Sequence, residues 1–301
     1  MRVALRTLSR RDGDDLDSYL HVGAGVPRLE VTTDLTAFMK EVERRGLIEV
    51  ARTRWREIIG AEEKIAMPEV GGRIVIPGSS VKGNVRARME LSFVPKKDGT
   101  VRSCFSVSRT GPFSDAHVRI WSRALAAERG RNCVYREGER VNVCLLCDLF
   151  GAQGLASLVE FSDLVGEGVK AELVSEEFGT KLAVAPPGST FRGEIAFKNL
   201  RESELGLILL TGLAVGKDGV GRSVLFGRLK YRGTFGGRTF GRVRYQVESL
   251  RLSRFSRPLQ DLRPGEEAKG GELGGLIERL LESAEREFGD EIHLVDEVRG
   301  S

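Results

Sequence analysis

Short strand-like segments recur along the chain. The residues at 2–7 (RVALRT), 74–76 (IVI), 158–162 (LVEFS) and 190–197 (TFRGEIAF) predict strands. In the last of these, apolar and polar residues alternate, which is typical of a strand with one buried face. Two further glycine- and arginine-rich strands are predicted after residue 218.

Helical spacing of apolar residues occurs between these strands. The predicted helices cover 34–48, a segment starting near Ser79, 115–129, 202–215 and about 266–288. The order is therefore strand, helix, strands, helix, strand, with irregular insertions. This order favours an α+β domain with an antiparallel sheet over a doubly wound parallel fold.

The composition is that of an ordinary folded protein, with 41% hydrophobic and 30% charged residues. No apolar run approaches the roughly 18 residues of a membrane span, and the sequence starts without an apolar signal region. We therefore expect a cytoplasmic protein with no membrane partner. Scarce Asn and Gln beside abundant Arg and Glu are typical of proteins from thermophiles.

Charge is unevenly distributed along the chain. Residues 264–301 carry 11 acids against 4 bases, whereas the rest carries 43 bases against 32 acids. A basic body with an acidic C-terminal segment indicates an anionic partner for the body. Nucleic acid is the usual partner of this kind, and a neutralising protein neighbour is the alternative.

The segment IVIPGSSVKGNVRAR, starting at residue 74, leads from a strand through a Pro-Gly turn into a helix. Ser79 and Ser80 are candidate caps, and the bases Lys82, Arg86 and Arg88 follow. Free N–H groups at a helix N-terminus beside basic side chains suit a phosphate. An ordinary capped junction with a solvated basic face explains the same residues equally well. The spacing excludes a Walker loop.

The four cysteines, Cys104, Cys133, Cys144 and Cys147, fall in one part of the chain, with His117 among them. The CxxC pair at 144–147 has the spacing of a zinc knuckle, with Cys133 as third ligand and His117 or Cys104 as the fourth. We expect a structural zinc ion that staples a polar insertion. Buried apolar cysteines and a redox pair are the alternatives. A redox pair would need CxxC at the start of a helix after a strand, which the sequence does not indicate.

Glycine and basic residues dominate 219–247, which has seven Lys or Arg and no Asp or Glu. Glycines let a phosphate come close, and arginines offer bidentate donors. Phe226, Tyr231, Phe240 and Tyr245 could stack on bases, although we expect two or three of them to form a hairpin core. The basic character favours nucleic acid, because a solvated strand pair normally mixes both signs.

Catalytic signatures are sparse. The three histidines suggest no hydrolytic triad, and no GxSxG nucleophile elbow occurs. Metal-dependent nuclease chemistry needs clustered acids to hold Mg²⁺. Glu62 and Glu63, in a loop predicted from residue 60, are a candidate pair, although adjacent glutamates in a loop are usually just solvated.

Four motifs stand in a fixed order along the chain. They are LHVGAG (20–25), IPGSSVKG (76–83), CLLCDLFG (144–151) with VEFSD (159–163), and GVGRSVLFGR (219–228). In this order they resemble RAMP-superfamily CRISPR proteins, and more narrowly the repeating backbone subunit of type III (Csm/Cmr) effector complexes. The resemblance spans roughly residues 1–247, and its IPGSSxKG block is quite specific.

The resemblance implies a modified ferredoxin-like, RRM-like core at 1–260. It would be interrupted by insertions at 26–60 and at 95–150, the latter containing zinc, and by a thumb-like hairpin at 167–185. An acidic helical tail at 261–301 has no counterpart in the family pattern. Copies of such a subunit line up along a guide RNA and grip its phosphate backbone. The implied RNA-binding residues are His21, Gly78, Ser79, Ser80, Lys82, Arg86, Arg88, Arg222, Ser223, Arg228 and Lys230.

In such subunits an aspartate before the IPGSS block cuts target RNA with a divalent metal. The corresponding loop here has no aspartate, which leaves Glu63 as the catalytic stand-in and Mg²⁺ as its cofactor. The main expectation is an RNA-binding backbone subunit that works in antiviral defence with guide RNA, single-stranded target RNA and other subunits, and that self-associates along RNA. The alternatives are an endoribonuclease subunit active within the assembled complex, and a capping subunit that binds mainly protein.

Overall fold

The computed structural model describes residues 1–23, 28–31, 35–47, 49, 61–105, 114–126, 129, 133–136, 143–175, 180–231 and 234–299. Its strands are β1 (Arg2–Thr7), β2 (Ser18–Tyr19), β3 (Arg28–Val31), β4 (Ala61–Ile65), β5 (Glu69–Val70), β6 (Arg73–Ile76), β7 (Val159–Phe161), β8 (Leu164–Gly166), β9 (Glu172–Ser175), β10 (Thr180–Val184), β11 (Thr190–Phe197), β12 (Val220–Leu225), β13 (Thr239–Phe240), β14 (Arg242–Arg251) and β15 (Glu267–Ala268). Its helices are α1 (Leu35–Arg45), α2 (Gly78–Ser92), α3 (Asp115–Leu125), α4 (Leu145–Phe150), α5 (Glu202–Leu207) and α6 (Gly270–Phe288). Ile208–Gly212 prolongs α5 as one wider, π-helical turn.

A large sheet forms the centre of the fold. Its strands lie in the order β12-β14-β1-β11-β8-β6-β5, while β15 pairs with β14 and β7 pairs with β11. Every pair in this sheet is antiparallel. Helices combined with an antiparallel sheet confirm the predicted α+β class.

The main hydrophobic core lies between this sheet and three helices. Val3 and Leu5 of β1 are buried in one cluster with residues of α2, α5 and α6. The π-helical turn crosses α2 at close range, because a Cβ on Gly212 would lie 2.7 Å from Val85 Cγ1. Glycine therefore permits the contact that brings the two helical elements together over the sheet.

A second, smaller sheet has the order β3-β4-β10-β9. In it β10 is parallel to β4 and antiparallel to β9. The loop predicted from residue 60 is wrong for 61–65, because this backbone pairs with strands on both sides. The hairpin of β9 and β10 falls within the range expected for a thumb, and its residues 176–179 lie outside the described part. Residues 50–60 of the expected insertion at 26–60 lie outside it as well.

The segment after α6 folds back onto the end of α2. The Val94 N–H donates to Glu291 O at 2.8 Å, and the His293 N–H donates to Ser92 O at 2.7 Å. The apolar face of α6 belongs to the same core as the sheet. The C-terminal helix predicted from the sequence is therefore packed into the main body. Among the described helices, none is both long and apolar enough to cross a bilayer.

Candidate functional site

Gly78 begins α2 in close contact with the segment 161–163. A Cβ at this position would lie against Phe161 O and 2.7 Å from Ser162 O, so glycine is required by the space. The Gly78 N–H donates to Asp163 Oδ1 at 2.8 Å. A carboxylate at a helix N-terminus satisfies a free donor and interacts favourably with the helix dipole. The protein's own Asp163 therefore fills part of the predicted anion site.

Ser79 and Ser80 lie inside the first turn of α2 instead of capping it, because the helix already starts at Gly78. Ser79 is exposed, and Ser80 and Lys82 are partly exposed. Burial lowers the pKa of Lys82, and the positive charge of Arg86 lowers it further. The turn thus presents hydroxyl groups and one amine to a partner.

Four cysteine sulfurs lie within 4.8 Å of one another, those of Cys104, Cys133, Cys144 and Cys147. The Cys104 Sγ is 3.4 Å from Cys147 Sγ and 3.6 Å from Cys144 Sγ. Sulfurs bound tetrahedrally to one zinc ion at about 2.3 Å would lie about 3.8 Å apart. The spacing and the donor set therefore fit a single metal ion held by four thiolates.

The fourth position of this cluster is Cys104, not His117. The Cys104 N–H lies 3.4 Å from Cys144 Sγ, which places the residue against the CxxC segment. His117 lies on α3, where its Nε2 is 3.1 Å from the Tyr231 hydroxyl and its ring is 4.1 Å from the Tyr231 ring. Of the two ligands that the sequence left open, the cysteine is the one beside the other three.

Cys144 precedes the short helix α4 and caps it. Its Sγ accepts the Cys147 N–H at 3.4 Å, and its own N–H donates to Cys133 Sγ at 3.3 Å. The hydrogen bond shared with Cys104 lowers the pKa of Cys144 to about 4. The CxxC pair begins a helix, but no strand of the described residues leads into it. Two further sulfurs beside it also favour a metal centre over a redox pair.

Arg86 connects α2 to the cysteine cluster. Its guanidinium lies 3.2 Å from Cys147 Sγ, donates to Gly151 O at 2.7 Å and pairs with Glu90 at 2.9 Å. The side chain is 15% exposed. Four thiolates around a divalent ion carry net negative charge, which a neighbouring guanidinium offsets. The sequence predicted that Arg86 contacts RNA. In the structure its guanidinium instead makes its contacts at the cysteine cluster.

Arg88, further along α2, is buried. Its Nε lies 2.5 Å from Glu297 Oε1, and its Nη1 donates to Gly212 O. Its Nη2 donates to Asn84 Oδ1 at 2.8 Å and to Leu225 O at 3.1 Å. With the side chain 4% exposed, no edge of the guanidinium is open to a phosphate. Arg88 therefore joins α2 to β12 and to the segment after α6, whereas the sequence predicted that it contacts RNA.

A second basic group lies on β12 and the loop after it. Arg222 and Arg228 are exposed, and Ser223 is partly exposed with its Oγ 3.5 Å from Arg244 Nη2. Within the described part of the chain, neither Arg222 nor Arg228 has a carboxylate partner. Both guanidinium groups are therefore open to an outside anion.

Lys230 is half-buried near the Arg88–Glu297 pair. Burial lowers the pKa of Lys230 to about 8, and the positive charge of Arg88 acts in the same direction. Its Nζ lies 5.2 Å from the centre of the Tyr231 ring. The ammonium group is thus poised to lose its proton in mildly alkaline solution.

His21 is buried and positions the loop at 227–228. Its Nδ1 lies 2.8 Å from Ala183 O and must donate to it, because a carbonyl can only accept. The His21 carbonyl accepts the Arg228 N–H at 2.9 Å. A Cβ on Gly227 would lie 2.6 Å from His21 O, and its φ of +84° also favours glycine. Burial lowers the pKa of His21, which favours the neutral imidazole.

The expected RNA-binding residues fall into two groups. Ser79, Ser80 and Lys82 lie at the start of α2. Arg222 and Arg228 lie on β12 and the loop after it, where Leu225 O accepts hydrogen bonds from Asn84 and Arg88 of α2. The exposed cations therefore lie at two separate points along the molecule.

The aromatic residues of 219–247 lie mostly in the core. Phe226, Phe240 and Tyr245 are at most 2% exposed. Tyr231 is partly exposed and packs on His117. The expectation that two or three of the four are core residues is met by three. Base stacking on this strand pair is thereby limited to Tyr231.

The catalytic candidate Glu63 lies on β4, where its backbone is opposite Leu29 and Thr180. Its side chain lies outside the described part, as does that of Glu62. Catalysis by Glu63 therefore stays a prediction from the sequence.

Sequence reasoning missed three residues that organise these sites. Asp163 caps α2, Glu297 pairs with Arg88, and Arg129 donates to Ser103 Oγ at 2.7 Å. Asp163 ends the VEFSD motif, which is a usable signal. The other two act through residues distant in sequence, so no local pattern marks them.

A search of the curated proteins finds no match. Among solved structures, a chain described as a type IV-B CRISPR complex is similar at 15% identity, with 85% of this chain and 94% of that chain covered and a TM-score of 0.36. A chain of a Csm3-Csm4 subcomplex of a type III-A CRISPR-Cas interference complex is similar at 16% identity, with 93% and 94% covered and a TM-score of 0.34. The family model of the RAMP superfamily matches residues 15–244, and the chain therefore belongs to the RAMP superfamily.

Proposed function

We propose that the chain is a backbone subunit of a type III CRISPR interference complex, which grips the guide RNA through its phosphates and positions target RNA. The observation that carries this proposal is a set of exposed or partly exposed cations without a carboxylate partner in the described part. They are Lys82 at the start of α2 and Arg222 and Arg228 on the β12 side. Membership in the RAMP superfamily supports the class of complex.

These cations contrast with paired arginines elsewhere on the surface. Arg2 pairs with Glu194 at 3.4 Å, and Arg192 pairs with Glu248 at 2.6 Å. A paired arginine has part of its charge and some of its donors already satisfied. Unpaired cations keep both for an outside anion, and phosphate contacts dominate affinity for nucleic acids.

The separation of the two cationic groups supports a long ligand. One group stands on the first turns of α2, and the other stands on β12 and the loop after it, beside later turns of the same helix. A single-stranded nucleic acid follows a cationic surface over several nucleotides. An elongated RNA backbone is therefore a better fit than a free phosphate or a mononucleotide.

The proposal includes a ferredoxin-like core. In chain order its parts would be β1, α2, β8, β11, α5 and β14, which is the β-α-β-β-α-β arrangement. The same strands are adjacent in space in the order β14-β1-β11-β8. The remaining elements would be insertions, with the β9–β10 hairpin as the thumb.

The proposed ion in the cysteine cluster is structural zinc. Four cysteines are a typical ligand set of structural zinc sites, in which the protein fills every position. Such an ion would hold the segments around Cys104 and Cys133 against α4. It would leave no open coordination position for catalysis.

The proposal is tested by titrating the full-length protein into labelled single-stranded RNA of several sequences. The triple variant Lys82→Ala/Arg222→Ala/Arg228→Ala should weaken binding alike for all sequences. Each lost phosphate contact should reduce the slope of log affinity against log salt by about 0.7. A matched control is Lys217→Ala/Lys269→Ala/Arg286→Ala, which removes the same charge from two bases of the acidic C-terminal region and from Lys217, which pairs with Glu278 of α6.

Equal binding by the triple variant and the parent would refute the site assignment. RNA length separates the backbone role from the capping role. A backbone subunit should bind in increasing numbers as the RNA is lengthened, which sedimentation velocity can count. A capping subunit should stay at one chain per RNA.

A further inference from the structure

The turn that follows β14 presents an exposed aromatic ring among arginines. Phe255 is 87% exposed, more than any other large hydrophobic residue in the described part. Arg251, Arg254 and Arg257 beside it are exposed as well. The Arg254 guanidinium lies 5.1 Å from the centre of the ring. A single exposed apolar residue is common, but this ring stands among three exposed arginines.

The turn is held in a defined conformation. The Ser253 and Ser256 hydroxyl oxygens are 3.0 Å apart, and the Phe255 N–H lies 3.3 Å from Ser253 Oγ. Leu252 and Leu259, at the two ends of the segment, are buried in the main core. The ring is therefore displayed before any partner arrives, which reduces the ordering cost of binding.

The charge around the ring selects the chemistry of a partner. Residues 251–260 contain three arginines and no acid. Within the described part, Arg254 and Arg257 have no carboxylate partner. An acidic peptide would satisfy the arginines but leaves the ring unused. A single-stranded nucleic acid uses both, since its phosphates meet the guanidinium groups and a base stacks on the ring.

The turn lies at the end of the large sheet where α2 begins. At this end, Arg2 of β1 stands opposite both Ser249 of β14 and Glu194 of β11. The next residue of β11 stands opposite Phe161, which Gly78 approaches at the start of α2. The turn that carries Phe255 and the start of α2 that carries Lys82 thus lie at the same end of the large sheet.

We propose that Phe255, Arg254 and Arg257 form a stacking site for one base of bound single-stranded RNA. The site lies outside residues 15–244, which the family model matches, and belongs to the C-terminal part of this chain. The identity of the polymer rests on the proposed function above.

The test compares RNA affinities of full-length variants at several salt concentrations. Phe255→Ala should weaken binding about five- to hundredfold, the usual range for one stacked base, and leave the salt slope unchanged. Arg254→Ala/Arg257→Ala should instead reduce the salt slope by about 0.7 per lost phosphate contact. Val70→Ala, which truncates another residue that is 60% exposed, is the matched control and should bind as the parent does.

Phe255→Trp provides a direct readout of stacking. It should retain the parent's affinity, and its added fluorescence should be quenched by RNA beyond the change seen in the parent. Parent-like binding by Phe255→Ala would overturn the stacking site while leaving the proposed function intact. If Phe255→Ala binds RNA normally but weakens self-association in sedimentation equilibrium, the turn is a protein contact and the inference is wrong. A parent that binds no RNA would overturn both proposals.

Discussion

Glu297 holds Arg88 from across the fold. Its Oε1 lies 2.5 Å from Arg88 Nε, and its Oε2 accepts the Leu225 N–H at 2.9 Å. The two side chains are 4% and 5% exposed. One carboxylate therefore joins α2, β12 and the segment after α6 at a single buried point.

Removing this carboxylate should destabilise the protein strongly. We expect Glu297→Ala to lower the free energy of unfolding by about 3–5 kcal/mol, because Arg88 would be left as an uncompensated buried charge. Urea denaturation followed by circular dichroism measures the change. The neighbouring Asp296→Ala removes an exposed carboxylate and should stay within about 0.5 kcal/mol. Equal stability of the two variants would show that the segment is not docked in solution.

The metal centre should depend on Cys104 and not on His117. Elemental analysis of the purified parent should find about one zinc ion per chain, as four thiolates in one cluster bind a single ion. Cys104→Ser should lose most of this zinc, whereas His117→Ala should retain it, since His117 contacts Tyr231 instead. Zinc lost from the histidine variant but kept in the serine variant would contradict the assignment.

The sequence correctly predicted strands whose own residues carry a clear pattern. β1 and β11 match their predicted ranges, because alternation or β-branched residues mark a half-buried strand without knowledge of its partner. The strand β4 was predicted as a loop, because its pairing depends on β3 and β10, which come from distant parts of the chain. Its AEEKI sequence has little intrinsic strand preference.

The same limit applies to the site. The four cysteines and the cations of 219–247 were visible in the sequence as clusters. The burial of Arg88 was not, since its partner Glu297 is 209 residues away. Arg86 was expected at the RNA surface for its place in a motif, and the contact with Cys147 that occupies it forms only when the chain is folded.

Two glycines of the IPGSSVKG block should respond oppositely to alanine. Gly78→Ala should destabilise the protein by about 3 kcal/mol, because the added Cβ meets the carbonyl groups of Phe161 and Ser162. Gly83→Ala should stabilise it by about 0.5–1 kcal/mol, since nothing lies within 4 Å of the added Cβ and alanine favours helix. Thermal unfolding of both variants measures the difference. A neutral Gly78→Ala would mean that the 161–163 segment does not contact α2 as described.

Lys230 should make stability depend on pH above neutrality. Its pKa of about 8 in the folded protein is below the ordinary value of about 10.4. Between these two values the unfolded chain binds a proton that the folded protein has released, so stability rises with pH across this window. Lys230→Met should remove that rise, which urea denaturation in a series of buffers measures as the difference between parent and variant. Parallel curves for the two proteins would refute the lowered pKa.

The same group should make RNA affinity depend on pH with the opposite sign. Below a pKa of about 8, Lys230 is charged and can contact a phosphate, whereas above it the free protein must first take up a proton. Affinity for single-stranded RNA should therefore fall between about pH 7 and pH 9, where the pKa is crossed. Lys230→Arg keeps its charge throughout and should bind with little pH dependence, while Lys82→Arg should keep the decline that Lys230 causes. Anisotropy titrations at constant ionic strength decide the matter. A decline that persists in Lys230→Arg but vanishes in Lys82→Arg would assign the pH dependence to Lys82 and refute a phosphate contact by Lys230.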